Sequence, residues 1–154
     1  MNKAKMMVLL LALSACSNTD DSEKDLDMPQ IADAGAATAP LNCQTFHTGE
    51  TISFRYLFTD NVELGNYNIE IHNNFDHHTH STSAEECEAE PVKAPHNPWV
   101  FNQSYCIPPK SISYTAENEI LIPDDIDTGD YHFMIRLTDQ AGWQQIKSVA
   151  IRIE

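Results

Sequence analysis

The chain has 154 residues and a net charge of −14, from 23 acidic and 9 basic side chains. This acidic balance excludes nucleic acid as an expected partner, because binding phosphate groups requires an excess of Lys and Arg. Hydrophobic residues make up 42% of the sequence, which is enough for a packed core and, at this length, predicts a single folded domain.

The N-terminus has the composition of a secretory signal, with Lys3 and Lys5 before an apolar stretch too short to span a bilayer. The stretch ends with LSAC at residues 13–16, which resembles the lipobox of bacterial lipoproteins. The resemblance implies removal of residues 1–15 and lipidation of Cys16, which would anchor the chain in outer-membrane lipid. We therefore predict a cell-envelope protein that faces either the periplasm or the cell surface. An ordinary signal peptide with a chance cysteine is the alternative.

Residues 16–40 follow as an acidic segment without aromatic residues. Between Ser17 and Pro40, six acidic residues and one lysine give a net charge of −5. Because such a segment cannot bury enough apolar surface to fold alone, we predict a flexible tether. The acidic run also resembles the surface-export signals of Bacteroidota lipoproteins, and a solubilising linker is the alternative. The folded domain is predicted over residues 41–154.

Apolar residues in the predicted domain repeat with a period of two, which indicates strands rather than helices. The alternating segments are, in chain order, 51–58, 66–73, 99–105, 119–122, 131–137 and 146–153. Short strands separated by turn residues predict an all-β fold, an Ig-like antiparallel β-sandwich with a long inserted loop after residue 73.

The motif DTGDY at residues 127–131 resembles the tyrosine corner of immunoglobulin-like domains, in which the Tyr hydroxyl bonds to upstream backbone. Antibody domains carry a disulfide Cys two residues after this Tyr. Phe133 occupies that position here, so we expect an apolar contact between the sheets in place of the disulfide.

Residues 72–80 contain four histidines and one aspartate, a density that indicates a transition-metal site. Imidazole is the commonest protein ligand for Zn, Cu and Ni. His72 closes a predicted strand, and His78 and His80 point to one side of an extended loop. His77 and His78 point to opposite sides, so one of them is expected to stay outside the coordination shell. A solvated polar loop is the alternative.

The predicted topology brings His132 to the same place. In an Ig-like sandwich the strand that ends near His72 and the strand that begins near Gly129 are antiparallel neighbours. Zn is the expected metal, with Cu or Ni as alternatives. The predicted ligands are His72, His78, His80 and His132, and which of the loop histidines bind stays open. Residues that would surround these ligands, or replace one of them, are Glu70, Asp76, His77 and Met134. His47 and His96 have no such context and are interpreted as surface residues.

The run IEIHNNFDHHTH at residues 69–80, with GDYH at 129–132, resembles a family of Bacteroidota lipoproteins that carry a domain of unknown function. The resemblance covers residues 43–154. It implies a secreted, lipid-anchored Ig-like domain with its histidines at the four predicted ligand positions, and it supplies no catalytic mechanism.

Three cysteines, Cys43, Cys87 and Cys106, follow the predicted lipidation site. Because exported proteins fold in an oxidising compartment, we expect a disulfide, and three pairings are open. A Cys87–Cys106 bridge is favoured, since these residues bracket the long loop. A thiolate metal ligand at Cys87 is the rival interpretation.

The sequence contains no phosphate-binding glycine loop, nucleophile elbow or zinc-protease helix motif. The leading hypothesis is therefore a non-catalytic, lipid-anchored envelope protein that captures or buffers Zn or Cu, with a metal transporter or another envelope protein as its partner. The alternative is an Ig-like adhesion or ligand-presenting module with incidental or structural metal binding. A metallohydrolase is a third hypothesis.

Overall fold

The computed structural model describes residues 24–78 and 87–154. A short 3₁₀ turn lies at Gly35–Ala37, between the first two strands. The strands are β1 (Gln30–Asp33), β2 (Gln44–Phe46), β3 (Thr51–Thr59), β4 (Leu64–Asn73), β5 (Phe101–Cys106), β6 (Ser113–Leu121), β7 (Gly129–Asp139) and β8 (Gln144–Ile153). In the part of the chain that is described, no helix is long and apolar enough to cross a membrane.

The strands form a three-stranded sheet with the order β1-β3-β6 and a five-stranded sheet with the order β2-β8-β7-β4-β5. Neighbouring strands are antiparallel, except that β2 runs parallel to β8. This arrangement confirms the predicted all-β sandwich, while the assignment to the Ig-like class stays a prediction.

The core lies between the two sheets and follows from the alternation of apolar residues. Every second residue of β3 is buried from Ile52 to Phe58, and the inward residues of β7 are buried in the same way. Burying each such side chain contributes about 1.5–3 kcal/mol. Phe133 of β7 stacks on Phe54 of β3, with ring centroids 5.8 Å apart, which is the predicted apolar contact between the sheets.

The first residues of β7 are fixed by Tyr131. Its hydroxyl donates a hydrogen bond to the carbonyl of Asp127 (2.5 Å) and accepts one from the amide of Trp99 (3.2 Å). Gly129 adopts a φ of +127°, and a Cβ there would lie 3.0 Å from the Phe75 ring. A larger residue would therefore be strained and crowded, and the entry into β7 next to His132 has little freedom.

Part of the segment assigned to the tether is folded onto the sandwich. Gln30–Asp33 forms β1 and pairs with β3, and Tyr56 donates a hydrogen bond to the carbonyl of Pro40 (2.6 Å). The physical reason is that the edge of β3 offers unpaired backbone groups that a short strand can satisfy. Residues 1–23, which include the predicted signal peptide and Cys16, lie outside the described residues.

The disulfide joins Cys43 to Cys87, with a Cα–Cα distance of 5.5 Å. The predicted Cys87–Cys106 bridge is therefore wrong, and among the described cysteines Cys106 is the free thiol. The reason is the direction of β5. Cys106 pairs with Asn66 near the start of β4, about 23 Å along the strand from the end where the histidine loop begins.

Candidate metal centre

His72 and His132 are direct cross-strand partners in β4 and β7. Their ring centroids lie 5.5 Å apart. His132 is 9% exposed and lies in the middle of the five-stranded sheet, whereas His72 is half-buried near the end of its strand. The two rings thus share the outer face of this sheet, because their neighbours Ile71, Tyr131 and Phe133 are buried in the core.

The loop after β4 turns back and brings His78 to the same face. Its ring centroid lies 5.4 Å from that of His72 and 5.1 Å from that of His132. Phe75 anchors the turn, since it is buried and packs edge-on against Tyr131 with centroids 5.4 Å apart. We call His72, His78 and His132 the histidine cluster.

The neighbouring His77 is directed elsewhere. It has a φ of +57°, which reverses the chain, and its Nε2 lies 2.8 Å from the carbonyl of Glu90. His77 thus contacts the part of the loop that follows Cys87, while the ring of His78 lies beside those of His72 and His132. Thr79 and His80 lie outside the described residues, so the place of His80 stays a prediction.

Each ring of the histidine cluster has an oxygen atom near one nitrogen. Nδ1 of His78 lies 2.5 Å from Oδ1 of Asp76, and this hydrogen bond lowers the pKa of the Asp76 carboxyl. Nδ1 of His72 lies 3.2 Å from Oε1 of Glu70, an ion-pair distance without hydrogen-bond alignment. Nε2 of His132 lies 3.1 Å from the carbonyl oxygen of His78.

The other predicted neighbours divide into those near the cluster and those remote from it. Glu70 and Met134 are cross-strand partners two residues further along the same face. His47 contacts Glu50 (3.2 Å), away from the cluster, and is exposed. Cys87 is bound in the disulfide, which contradicts the interpretation of its sulfur as a thiolate ligand.

A second group of potential ligands was missed by the sequence analysis. Asp25, Asp60 and Asp139 each place a carboxylate oxygen within 4.8 Å of the others. The three residues are distant in sequence, and two of them directly follow or end a strand. A signal was present for Asp60, because Asp-Asn after an apolar strand is a turn sequence whose carboxylate binds nearby backbone amides.

Comparison with known proteins places the chain in a family. No curated protein matches it in sequence. The family model described as "Domain of unknown function (DUF4625)" matches residues 14–154, which is most of the chain and includes both groups of potential ligands. The chain therefore belongs to the DUF4625 family of domains of unknown function.

Proposed function

We propose that the protein is a lipid-anchored, non-catalytic metal-binding protein of the cell envelope that captures or buffers Zn or Cu. The ligands in this proposal are His72, His78, His80 and His132, and the lipid anchor is Cys16. The observation that carries the proposal is the meeting of three imidazole rings from two strands and a loop at centroid distances of 5.1–5.5 Å.

These centroid distances are compatible with a single ion, towards which the ring nitrogens would turn on binding. With zinc–nitrogen bonds of 2.0–2.1 Å and tetrahedral angles, the ring centroids of two ligating histidines are separated by about 5.2 Å. The three observed separations lie close to that value. Three imidazoles without a thiolate suit zinc best, and copper and nickel remain compatible with the same ligands.

The oxygen contacts favour particular nitrogens as ligands. In a neutral imidazole, the nitrogen that faces an acceptor carries the proton and the other nitrogen holds the lone pair. By this rule His78 would bind through Nε2, because its Nδ1 is hydrogen-bonded to Asp76. His132 would bind through Nδ1, because its Nε2 faces a carbonyl.

Capture suits this arrangement better than catalysis. A catalytic zinc site keeps one coordination position open for water, whereas His80 as a fourth ligand would close the shell. Asp76, the nearest carboxylate that could act as a base, is hydrogen-bonded to His78. The chain's net charge of −14 would also raise the local concentration of cations. A metal transporter or another envelope protein would receive the ion.

The decisive experiment is calorimetric titration of tag-free protein with Zn²⁺ after substitution of His132, which lies 54 residues beyond His78. His132→Ala should weaken binding by about 100-fold, because a shared site loses one of its ligands. His47→Ala and His96→Ala are matched controls and should bind as tightly as the original chain. Unchanged affinity in His132→Ala would overturn the shared site and favour the adhesion-module alternative.

A second variant distinguishes the loss of a metal ligand from a loss of folding. His78 lies in the loop and is partly exposed, so His78→Ala leaves the sandwich intact. It should also weaken zinc binding by at least about tenfold while the thermal midpoint of the metal-free protein stays the same.

A further inference from the structure

We infer that Asp25, Asp60 and Asp139 form a second metal site, for calcium, at the end of the sandwich opposite the histidine cluster. One carboxylate oxygen from each residue lies within 4.8 Å of the other two. The ligands come from the segment before β1, the turn after β3 and the last residue of β7. Within the described part of the chain, no Lys or Arg pairs with any of these carboxylates.

Asp139 supplies the observation that points to a ligand. It is 4% exposed, and its Oδ1 accepts a hydrogen bond from the amide of Trp143 (2.8 Å). Its Oδ2 is buried and has no hydrogen-bond partner. A buried carboxylate oxygen without a partner is destabilising, and a cation between the three carboxylates would supply that partner.

Asp60 repeats the same pattern. Its Oδ2 accepts hydrogen bonds from the amides of Val62 (2.9 Å) and Glu63 (2.7 Å), which fix the orientation of the carboxylate. Its Oδ1 is buried without a hydrogen-bond partner. Two aspartates from different turns thus each have one oxygen held by backbone amides and one buried oxygen left over. This is the arrangement expected of ligands that are oriented before the ion binds.

Asp25 is held beside them by the hairpin between β7 and β8. The indole Nε1 of Trp143 donates a hydrogen bond to the carbonyl of Asp25 (3.0 Å). Trp143 therefore contacts two of the three ligands, through its backbone amide at Asp139 and its side chain at Asp25. An ion at this site would join the N-terminal segment to the sandwich.

The chemistry of the ligands selects the class of metal. Carboxylate oxygens without nitrogen or sulfur suit hard cations, and Ca²⁺ accepts irregular shells that water completes. Mg²⁺ requires near-ideal octahedral geometry and dehydrates reluctantly, so it should bind more weakly. The site is independent of the proposed zinc function, because Asp139 lies about 23 Å along β7 from His132.

The test is the thermal midpoint of the full chain, freed of metal and then titrated with Ca²⁺ or Mg²⁺. Saturating Ca²⁺ should raise the midpoint of the original chain by about 5 °C, and Mg²⁺ should raise it less. Asp139→Asn and Asp60→Asn should abolish the rise. Asp33→Asn, which removes an aspartate paired with Lys147 instead, should keep the full rise.

The thermal midpoints of the metal-free variants show whether a lost calcium response is caused by misfolding and not by the loss of a ligand. Asp139→Asn removes a charge from three crowded carboxylates, so its midpoint without calcium should equal or exceed that of the original chain. The inference is overturned by no rise with Ca²⁺, by an equal rise in Asp139→Asn, or by an equal rise with Mg²⁺. His132→Ala should keep the calcium response, so the outcome of the calcium experiment is independent of the outcome of the zinc titration.

Discussion

The two ends of β7 gather opposite kinds of potential ligand. His132, near the first residue of the strand, meets imidazoles from β4 and its loop, whereas Asp139, the last residue, meets carboxylates from two other segments. The imidazole end is held by a disulfide and a buried tyrosine, and the carboxylate end by backbone amides and a tryptophan. One strand can therefore carry two different sets of potential metal ligands, because its two ends have different neighbours.

The largest expected effect comes from removing the disulfide, which supports the imidazole end of β7. The Cys43–Cys87 disulfide closes a loop with a sequence separation of 44. The variant Cys43→Ser/Cys87→Ser should lose about 4 kcal/mol of unfolding free energy, measured by chemical denaturation, because the unfolded chain is no longer cross-linked. It should keep the calcium response, since the aspartates lie at the other end.

Cys106→Ser is the matched control for this prediction. The Cys106 thiol is free and exposed on β5, so its replacement should leave the unfolding free energy within about 0.5 kcal/mol of the original value. If this variant lost as much stability as the double variant, the assigned pairing of the cysteines would be contradicted.

An intermediate effect concerns how the loop histidine is oriented. Asp76→Asn removes the carboxylate that accepts a hydrogen bond from His78 (2.5 Å) and should weaken zinc binding by about tenfold in calorimetry. Asp125→Asn removes an equal charge from the loop that leads into β7, without a histidine contact. If both variants lost the same affinity, the carboxylate would act through its charge alone and not by orienting the ring.

Much of the fold, and the meeting of His72 with His132, could be predicted from the sequence. Alternation with a period of two assigns each residue to a face, and β4 and β7 are long enough for the pattern to be unambiguous. Because both histidines fall on the outer face near corresponding strand ends, the expected antiparallel pairing makes them cross-strand neighbours. The local sequence pattern was sufficient for this prediction, since burial of the apolar face of each strand fixes the pairing register.

The features that were missed depend on contacts between distant segments. β1 has four residues and no clear alternation, so its place depends on the open edge of β3. The disulfide depends on the position of Cys43 beside the last residues of β8, where its amide donates to the carbonyl of Ala150 (2.8 Å). The aspartates come from three segments distant in sequence, and only the turn sequence at Asp60 gave a local signal. In each case the residues can be read from the sequence, but the segments that they contact are determined by the tertiary fold.

The smallest expected effect tests whether the two ends are independent. Two divalent ions about 23 Å apart repel each other by less than about 0.1 kcal/mol at 0.15 M salt, because the Debye length is about 8 Å. Zinc affinity measured with and without saturating Ca²⁺ should therefore agree at this ionic strength. At 10 mM salt the Debye length is about 30 Å, and the repulsion rises to about 0.3 kcal/mol. Calcium should then weaken zinc binding by less than twofold. A tenfold change, or any strengthening, would show that β7 transmits a conformational change between the sites, because screened repulsion between the ions can produce neither.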